Sequence, residues 1–204
     1  DNMPAVALTD KTNMFGWVKF YKAALAAGLK PIAGADVLIS TANTGTPLIF
    51  LCLNNQGYLN LKKLITHSYL QGQQNGIAMI DETWLTKDSV AGLIALSGGS
   101  RGLMGQLLTQ GKVAAAGQYL QRYSDLFAGN FYIQLARTGR SGEETYIEAA
   151  VDLAHRAAVP VVATNEVCFL RSEDFPTHEA RICIQGGYTL ADSRRPKNYS
   201  EQQY

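Results

Sequence analysis

Three carboxylates stand just past, or late in, short apolar runs. Asp10 follows the run that ends at Leu8, Asp36 closes Gly34-Ala35-Asp36, and Glu166 follows Val161–Ala163 by three residues. If those runs are strands of one sheet with helices between them, chemistry gathers at their C-terminal ends, and the three acids share one rim. Carboxylates converging on a rim can hold a divalent cation or act as acid and base. Acids in the same places also cap helices and solvate loops in α/β proteins of any function. Ser97-Gly-Gly-Ser-Arg-Gly102 is a glycine-rich turn able to bind phosphate, but it lacks the Lys-Ser/Thr ending of a P-loop. The chain has three histidines. His67 and His155 fall late in helical patterns, where the helix dipole stabilises them; His178 falls on the last helix. Cys52 sits in an apolar run and Cys183 on a helix, both as packing, and Cys168 is a small apolar filler or a weak thiolate ligand.

The elements that must position these residues alternate. Apolar runs around Val6, over 32–39, 48–53, Leu93–Leu96, Phe131–Leu135 and Val161–Ala163 read as strands covered on both faces. Helical patterns fill most of the gaps. Residues 16–27 stop at Gly28, with Pro31 beyond. Residues 55–70 put Leu61, Leu64, Ile65 and Tyr69 on one face, and 112–127 repeat Val113, Ala116, Leu120, Tyr123 and Phe127. Ser141-Gly-Glu-Glu144 predicts a capping box ahead of Ile147, Ala150, Val151 and Ala154. Ser172 is the expected cap of a final helix closed by Gly186-Gly187. Strands separated by helices predict six parallel strands, ordered along the chain, in one curved sheet that is either open or most of a barrel.

Composition narrows the classes further. The 204 residues are 47 % hydrophobic and 17 % charged, which excludes a disordered chain and fits one packed domain. A net charge of +1 gives no general attraction to nucleic acid or membrane, and no apolar run is long enough to span a bilayer. Three cysteines without a CxxC spacing argue against a disulfide framework and for a cytoplasmic setting. Arg194-Arg-Pro-Lys197 is a local basic cluster, read as solvated tail. The chain begins directly in an apolar strand and ends in a polar, extended stretch, so a piece of a longer polypeptide is expected.

Several segments carry a resemblance. Residues 4–14 (PAVALTDKTNM), 28–36 (GLKPIAGAD), 54–61 (NNQGYLNL), 92–98 (GLIALSG), 162–167 (VATNEV) and 198–204 (NYSEQQY) resemble, in order along the chain, the polymerase-and-histidinol-phosphatase (PHP) domain. The version they resemble is the one carried by bacterial DNA polymerase III alpha subunits. The resemblance implies a distorted (βα)7 TIM-like barrel over residues 1–191, its first strand and His-x-His pair lying upstream of Asp1, and a linker over 192–204 toward a polymerase region. It implies a parent that is a DNA-directed DNA polymerase, with magnesium held by aspartates elsewhere, since this chain has no Asp-x-Asp pair. The implied partners are the proofreading exonuclease subunit, other subunits of the polymerase III holoenzyme, and DNA through the parent.

In metal-binding members of that family, histidines and carboxylates ring the barrel mouth. Carried across, Asp10, Asp36 and Glu166 keep acids. Lys11 and Pro47 stand where histidines are expected, Gln134 where Glu is common, and Cys168 replaces a final His, while His178 matches a position often filled by His. A charged lysine offers donors and no lone pair for a metal. The resemblance therefore implies a degenerate, metal-free site in a structural and exonuclease-docking module. The alternatives are a metal-dependent phosphoesterase or pyrophosphatase working at the mouth, and a generic α/β enzyme. Carboxylates left without their metal repel one another. Lys11, Arg137 or Arg140 is expected to compensate by pairing with Asp10, Asp36 or Glu166, and Arg137→Ala to lower stability.

Overall fold

The computed structural model describes residues 3–41, 44–195 and 199–204. Along the chain come β1 (Ala5–Leu8), α1 (Trp17–Ala26), β2 (Lys30–Thr41), β3 (Thr44–Cys52) and α2 (Asn55–Gln71). Three two-residue strands follow, β4 (Gln73–Gln74), β5 (Ile77–Ala78) and β6 (Ile80–Asp81), and then β7 (Leu93–Leu96), α3 (Leu103–Thr109) and α4 (Val113–Leu126). The chain continues through β8 (Phe131–Leu135), α5 (Glu143–Ala157), β9 (Val161–Ala163) and α6 (Phe175–Gly186). One seven-stranded sheet runs β1-β2-β3-β7-β8-β9, with β6 against β2, and β4 and β5 form a separate ribbon. The fold is mixed α/β, with the six main strands ordered along the chain as expected.

Strand direction is not as expected. β1 and β2 are parallel, and so are β7, β8 and β9, but β3 is antiparallel to both β2 and β7. Chain length explains the reversal. A parallel crossover needs about a dozen residues, whereas two residues separate β2 from β3. The sequence contains no helical pattern between those two runs, which is the cue that six parallel strands overlooked.

Period-two alternation divides the sheet into two faces. Ala35, Val37, Ile39, Leu48, Phe50, Ala95, Phe131 and Ile133 point to the helix side, where they are buried with Leu61 and Leu64 of α2, Met104 of α3, Leu120 and Tyr123 of α4, and Tyr146 and Ala150 of α5. Rings lock the centre, with Phe50 and Phe127 5.7 Å apart and Tyr123 and Phe131 5.7 Å apart. The opposite face carries Asp36, Pro47, Ile49, Leu96 and Gln134, as the pairings Asp36↔Ile49, Ile49↔Leu96 and Leu96↔Tyr132 require.

Two helix starts differ from the sequence reading. Ser141 makes no capping box: α5 follows Gly142 with no side-chain cap, because Glu143 and Glu144 are drawn instead to residues 137–140. Ser172 opens a short turn rather than capping α6, and Asp174 supplies the carboxylate that accepts from the Arg171 backbone N–H at 3.1 Å. Helix α3 carries no long apolar repeat and was not anticipated.

Candidate functional site

The rim is assembled from the ends of β1, β7, β8 and β9 and from interior positions of β2 and β3, Asp36 and Pro47. Beyond β1 the chain stays beside β2: the Asp36 N–H donates to the Asp10 carbonyl at 3.1 Å, and the Thr12 N–H to the Asp36 carbonyl at 2.8 Å. This bridge sets Lys11 opposite Asp36. After β7 the chain must turn hard against Pro47. Gly98 takes a φ of 76°, and a Cβ there would meet the Pro47 carbonyl at 2.2 Å, so only glycine fits. That turn leads into Arg101.

Arg101 and Arg140 converge on Glu166. The Arg101 Nη2 lies 3.1 Å, and the Arg140 Nη2 3.0 Å, from the same oxygen, Glu166 Oε2. Arg140 is held by a second carboxylate. Glu143 is 5 % exposed. It accepts from the Thr138 N–H at 2.7 Å, the Thr138 hydroxyl at 2.6 Å, the Arg140 N–H at 3.1 Å and the Arg140 Nε at 3.1 Å. Burial alone would raise the Glu143 carboxyl, but the bonds from Thr138 and then Arg140 hold it below the ordinary carboxylate range. At Asp36 burial wins: its carboxyl is raised, with Arg101 and Lys11 pulling down and Glu166 pushing up.

The structure sorts the other positions. Lys11 is exposed and acts on Asp36 through its charge, with no ion pair among the described residues. Arg137, an expected partner of the rim acids, instead makes a two-point bond to Glu144 at 2.7 and 2.9 Å and is 69 % exposed. It stands past β8 on the outer side, so the rim acids are not within its grip. Gln134 is buried on the rim face. Its backbone N–H donates to Ser97 Oγ at 3.0 Å, its carbonyl accepts from the Tyr146 hydroxyl at 2.7 Å, and its Oε1 has no hydrogen-bond partner among the described residues. Cys168 is exposed rather than packed as apolar filler, and its thiol turns to the Glu166 carbonyl, to which it donates at 3.4 Å. Cys52 is partly buried, and burial pushes its thiol up to about 11. Of the basic cluster 194–197, residues 196 and 197 lie outside the described residues; Arg194 pairs with Asp192 at 2.8 Å and Arg195 with Glu179 at 2.8 Å.

His178 lies in an aromatic pocket formed by Phe169 at 5.2 Å and Tyr199 at 5.7 Å. Arg181 donates to its Nδ1 at 3.1 Å, which leaves the proton of the neutral ring on Nε2, buried and without a partner among the described residues. Burial, and then Arg181, hold its pKa below the ordinary histidine value.

Chemically this rim is a balanced ionic network. Among the described residues no group of three or more His, Cys, Asp or Glu side chains is arranged to hold a metal ion. The donor set does not fit one: the guanidinium groups of Arg101 and Arg140 fill the space at Glu166, and Lys11, opposite Asp36, is an ammonium with no lone pair to offer. Sequence reasoning missed Arg101, Thr138, Glu143 and Gln203. Arg101 and Thr138 had a readable signal, since they follow β7 and β8 onto the same rim.

A parallel-edged α/β sheet with this charged rim belongs to a known class. The sequence matches the PHP domain family over residues 1–138, and the chain belongs to that family. It is 45 % identical to DNA polymerase III subunit alpha of Pseudomonas aeruginosa, over 99 % of this chain and 17 % of that protein. The same subunit of Vibrio cholerae is 47 % identical and that of Escherichia coli K12 46 % identical, each over 99 % of this chain and 18 % of the relative. The chain thus spans less than a fifth of the length of these relatives. A solved chain from Bifidobacterium adolescentis, assigned as a metal-dependent phosphoesterase, aligns with a TM-score of 0.47 at 11 % identity over 80 % of this chain and 77 % of its own, too loose a likeness to argue from.

Proposed function

We infer that this chain is the PHP module of a DNA polymerase III alpha subunit, and that it works as a structural and docking element rather than as a hydrolase. The observation that carries this reading is the pair of guanidinium groups on Glu166, where a metal-dependent member of the family would need a cation bound. Two tethered cations on Glu166, of which Arg101 also acts on Asp36, offset the repulsion between these two carboxylates without a bound metal. The parent is then a cytoplasmic DNA-directed DNA polymerase whose magnesium and DNA are held outside this chain. Residues 1–191 form the module, and of the proposed linker 192–204, residues 199–204 pack back against the loop after β9.

The proposed partner is the proofreading exonuclease subunit, alongside other holoenzyme subunits. Two surfaces support a docking role. Phe15 and the α1 residues Val18, Tyr21 and Leu25 are exposed, the last three at helical spacing. A groove of about 950 Å³ lies between α2 and residues 84–89, lined by Leu59, Lys63, His67, Leu70 and Trp84. Exposed apolar surface of this kind marks interaction sites. No helix among the described residues is long and apolar enough to cross a membrane.

The test uses the full-length alpha subunit. Metal analysis after exhaustive dialysis should find no zinc or manganese that Glu166→Gln removes, and the purified exonuclease subunit should bind at one-to-one stoichiometry. Stoichiometric metal lost on Glu166→Gln, together with release of phosphate from a phosphate ester, would establish the phosphoesterase reading instead. Absence of exonuclease binding would end the docking role.

A further inference from the structure

The loop after β9 has no secondary structure of its own, yet it carries Glu166 and buries Phe169. Backbone N–H groups in such a place need partners. They come from residues 199–204. The Gln203 carbonyl accepts from the Cys168 N–H at 2.8 Å and from the Phe169 N–H at 3.4 Å. The Gln203 side chain, 2 % exposed, donates from Nε2 to the Glu166 carbonyl at 3.1 Å and accepts the Ser200 N–H at 2.9 Å. Asn165 Nδ2 donates to the Tyr204 carbonyl at 2.8 Å and to the Gln202 carbonyl at 3.3 Å. On the other side the Ser200 hydroxyl donates to the Thr138 carbonyl. Tyr199 reaches α6, where its hydroxyl donates to Glu179 Oε1 at 3.2 Å, and Tyr204 stacks on Phe169 at 6.3 Å.

We propose that residues 199–204 are a latch, and that the rim ion pairs are its receptor. The connection is physically continuous. Ser200 holds Thr138; Thr138 and Arg140 are both gripped by Glu143; Arg140 grips Glu166; and the Glu166 carbonyl is held by Gln203. This closed ring crosses three segments far apart in sequence. Releasing the segment strips the loop after β9 of its hydrogen bonds and frees the backbone on which Glu166 sits. Arg101 and Arg140 then lose the anchor that neutralises them. Breaking Glu143 conversely releases residues 138–140 and with them the Ser200 contact. The ring therefore opens as a unit, and the position of the C-terminal segment and the state of the rim are linked. The consequence for the whole protein is that the charges at the old metal rim serve to fix how residues 199–204 lie across the module.

Hydrogen exchange measured by mass spectrometry on the full-length protein tests this. Gln203→Ala should speed exchange at least tenfold in peptides covering 138–143, 165–169 and 199–204 together, while β2 and β3 keep their protection. Thr138→Val, which leaves its carbonyl for Ser200 and removes both hydroxyl bonds, the one donated to Glu143 and the one accepted from Arg140 Nε at 2.9 Å, should loosen the same three segments by a smaller factor. Arg137→Ala, lying outside the ring, should loosen none of them. Loss of protection confined to 199–204 in Gln203→Ala, or to 138–143 in Thr138→Val, would overturn the proposal, because separate segments would then be opening independently.

Discussion

The two faces of the sheet are built on different physics. The helix side is a continuous apolar core in which Phe50, Leu61, Leu120, Phe131 and Ile133 are almost wholly buried. The rim side is held by a few directed bonds among Arg101, Arg140, Glu143 and Glu166 and by residues 199–204. Burial free energy is non-directional and grows with area, so the first face tolerates small displacements and is spread over many residues. Charge-assisted hydrogen bonds depend on angle and partner, so the second is concentrated in a few atoms and fails sharply when one is removed. One chain thus carries a redundant half and a non-redundant half, and single substitutions should tell them apart.

The largest expected effect is on the core. Phe50→Ala removes a ring packed against Phe127 and should cost about 3–5 kcal/mol in urea unfolding. A loss under about 1 kcal/mol would mean that the sheet is not held from the helix side.

Next comes a contrast within the rim. Arg140→Ala leaves Glu143 and Glu166 each short of a cation and should cost roughly 2 kcal/mol. Arg137→Ala, although only three residues away, removes an exposed pair with Glu144 and should leave the unfolding midpoint unchanged. This corrects the sequence-based expectation that Arg137 matters for stability. Equal effects from the two substitutions would erase the distinction between the ring and its surroundings.

The smallest effect is on pH dependence, at the aromatic pocket of His178. Its folded pKa lies below the ordinary value, so the unfolded chain takes up a proton that the folded one resists. The contribution is fully present above the unfolded value, about 6.5, and is lost as pH falls below it. Melting temperature should therefore decline between pH 7.5 and 5.5 less steeply in His178→Gln than in the parent. His67 and His155 are common to both proteins and cancel. Parallel pH curves would show that the pocket does not resist protonation.

The helix side was largely legible beforehand because its signals are local. The repeats Leu61–Leu64 and Ala116–Leu120–Tyr123 specify both a helix and its buried face, and short apolar runs bounded by glycine specify strands in an order that the sheet keeps. Even the direction of β3 was encoded, in a connection too short to cross over. Asp10 and Glu166 stand just past β1 and β9, whereas Asp36 lies in the middle of β2, where residues 10–12 run beside it.

Which cation meets which acid was a different matter. Arg137 and Arg140 follow the same strand and look equivalent in sequence, yet one reaches outward to Glu144 and the other inward to Glu143 and Glu166. Gln203 is one polar residue in a polar stretch until the loop after β9, lacking a ladder, recruits it and buries it. Periodicity reports which side of an element is apolar, a property of neighbours a few residues apart. The partner of a charge or a backbone N–H is fixed by angstrom-scale geometry between segments that only the folded chain brings together.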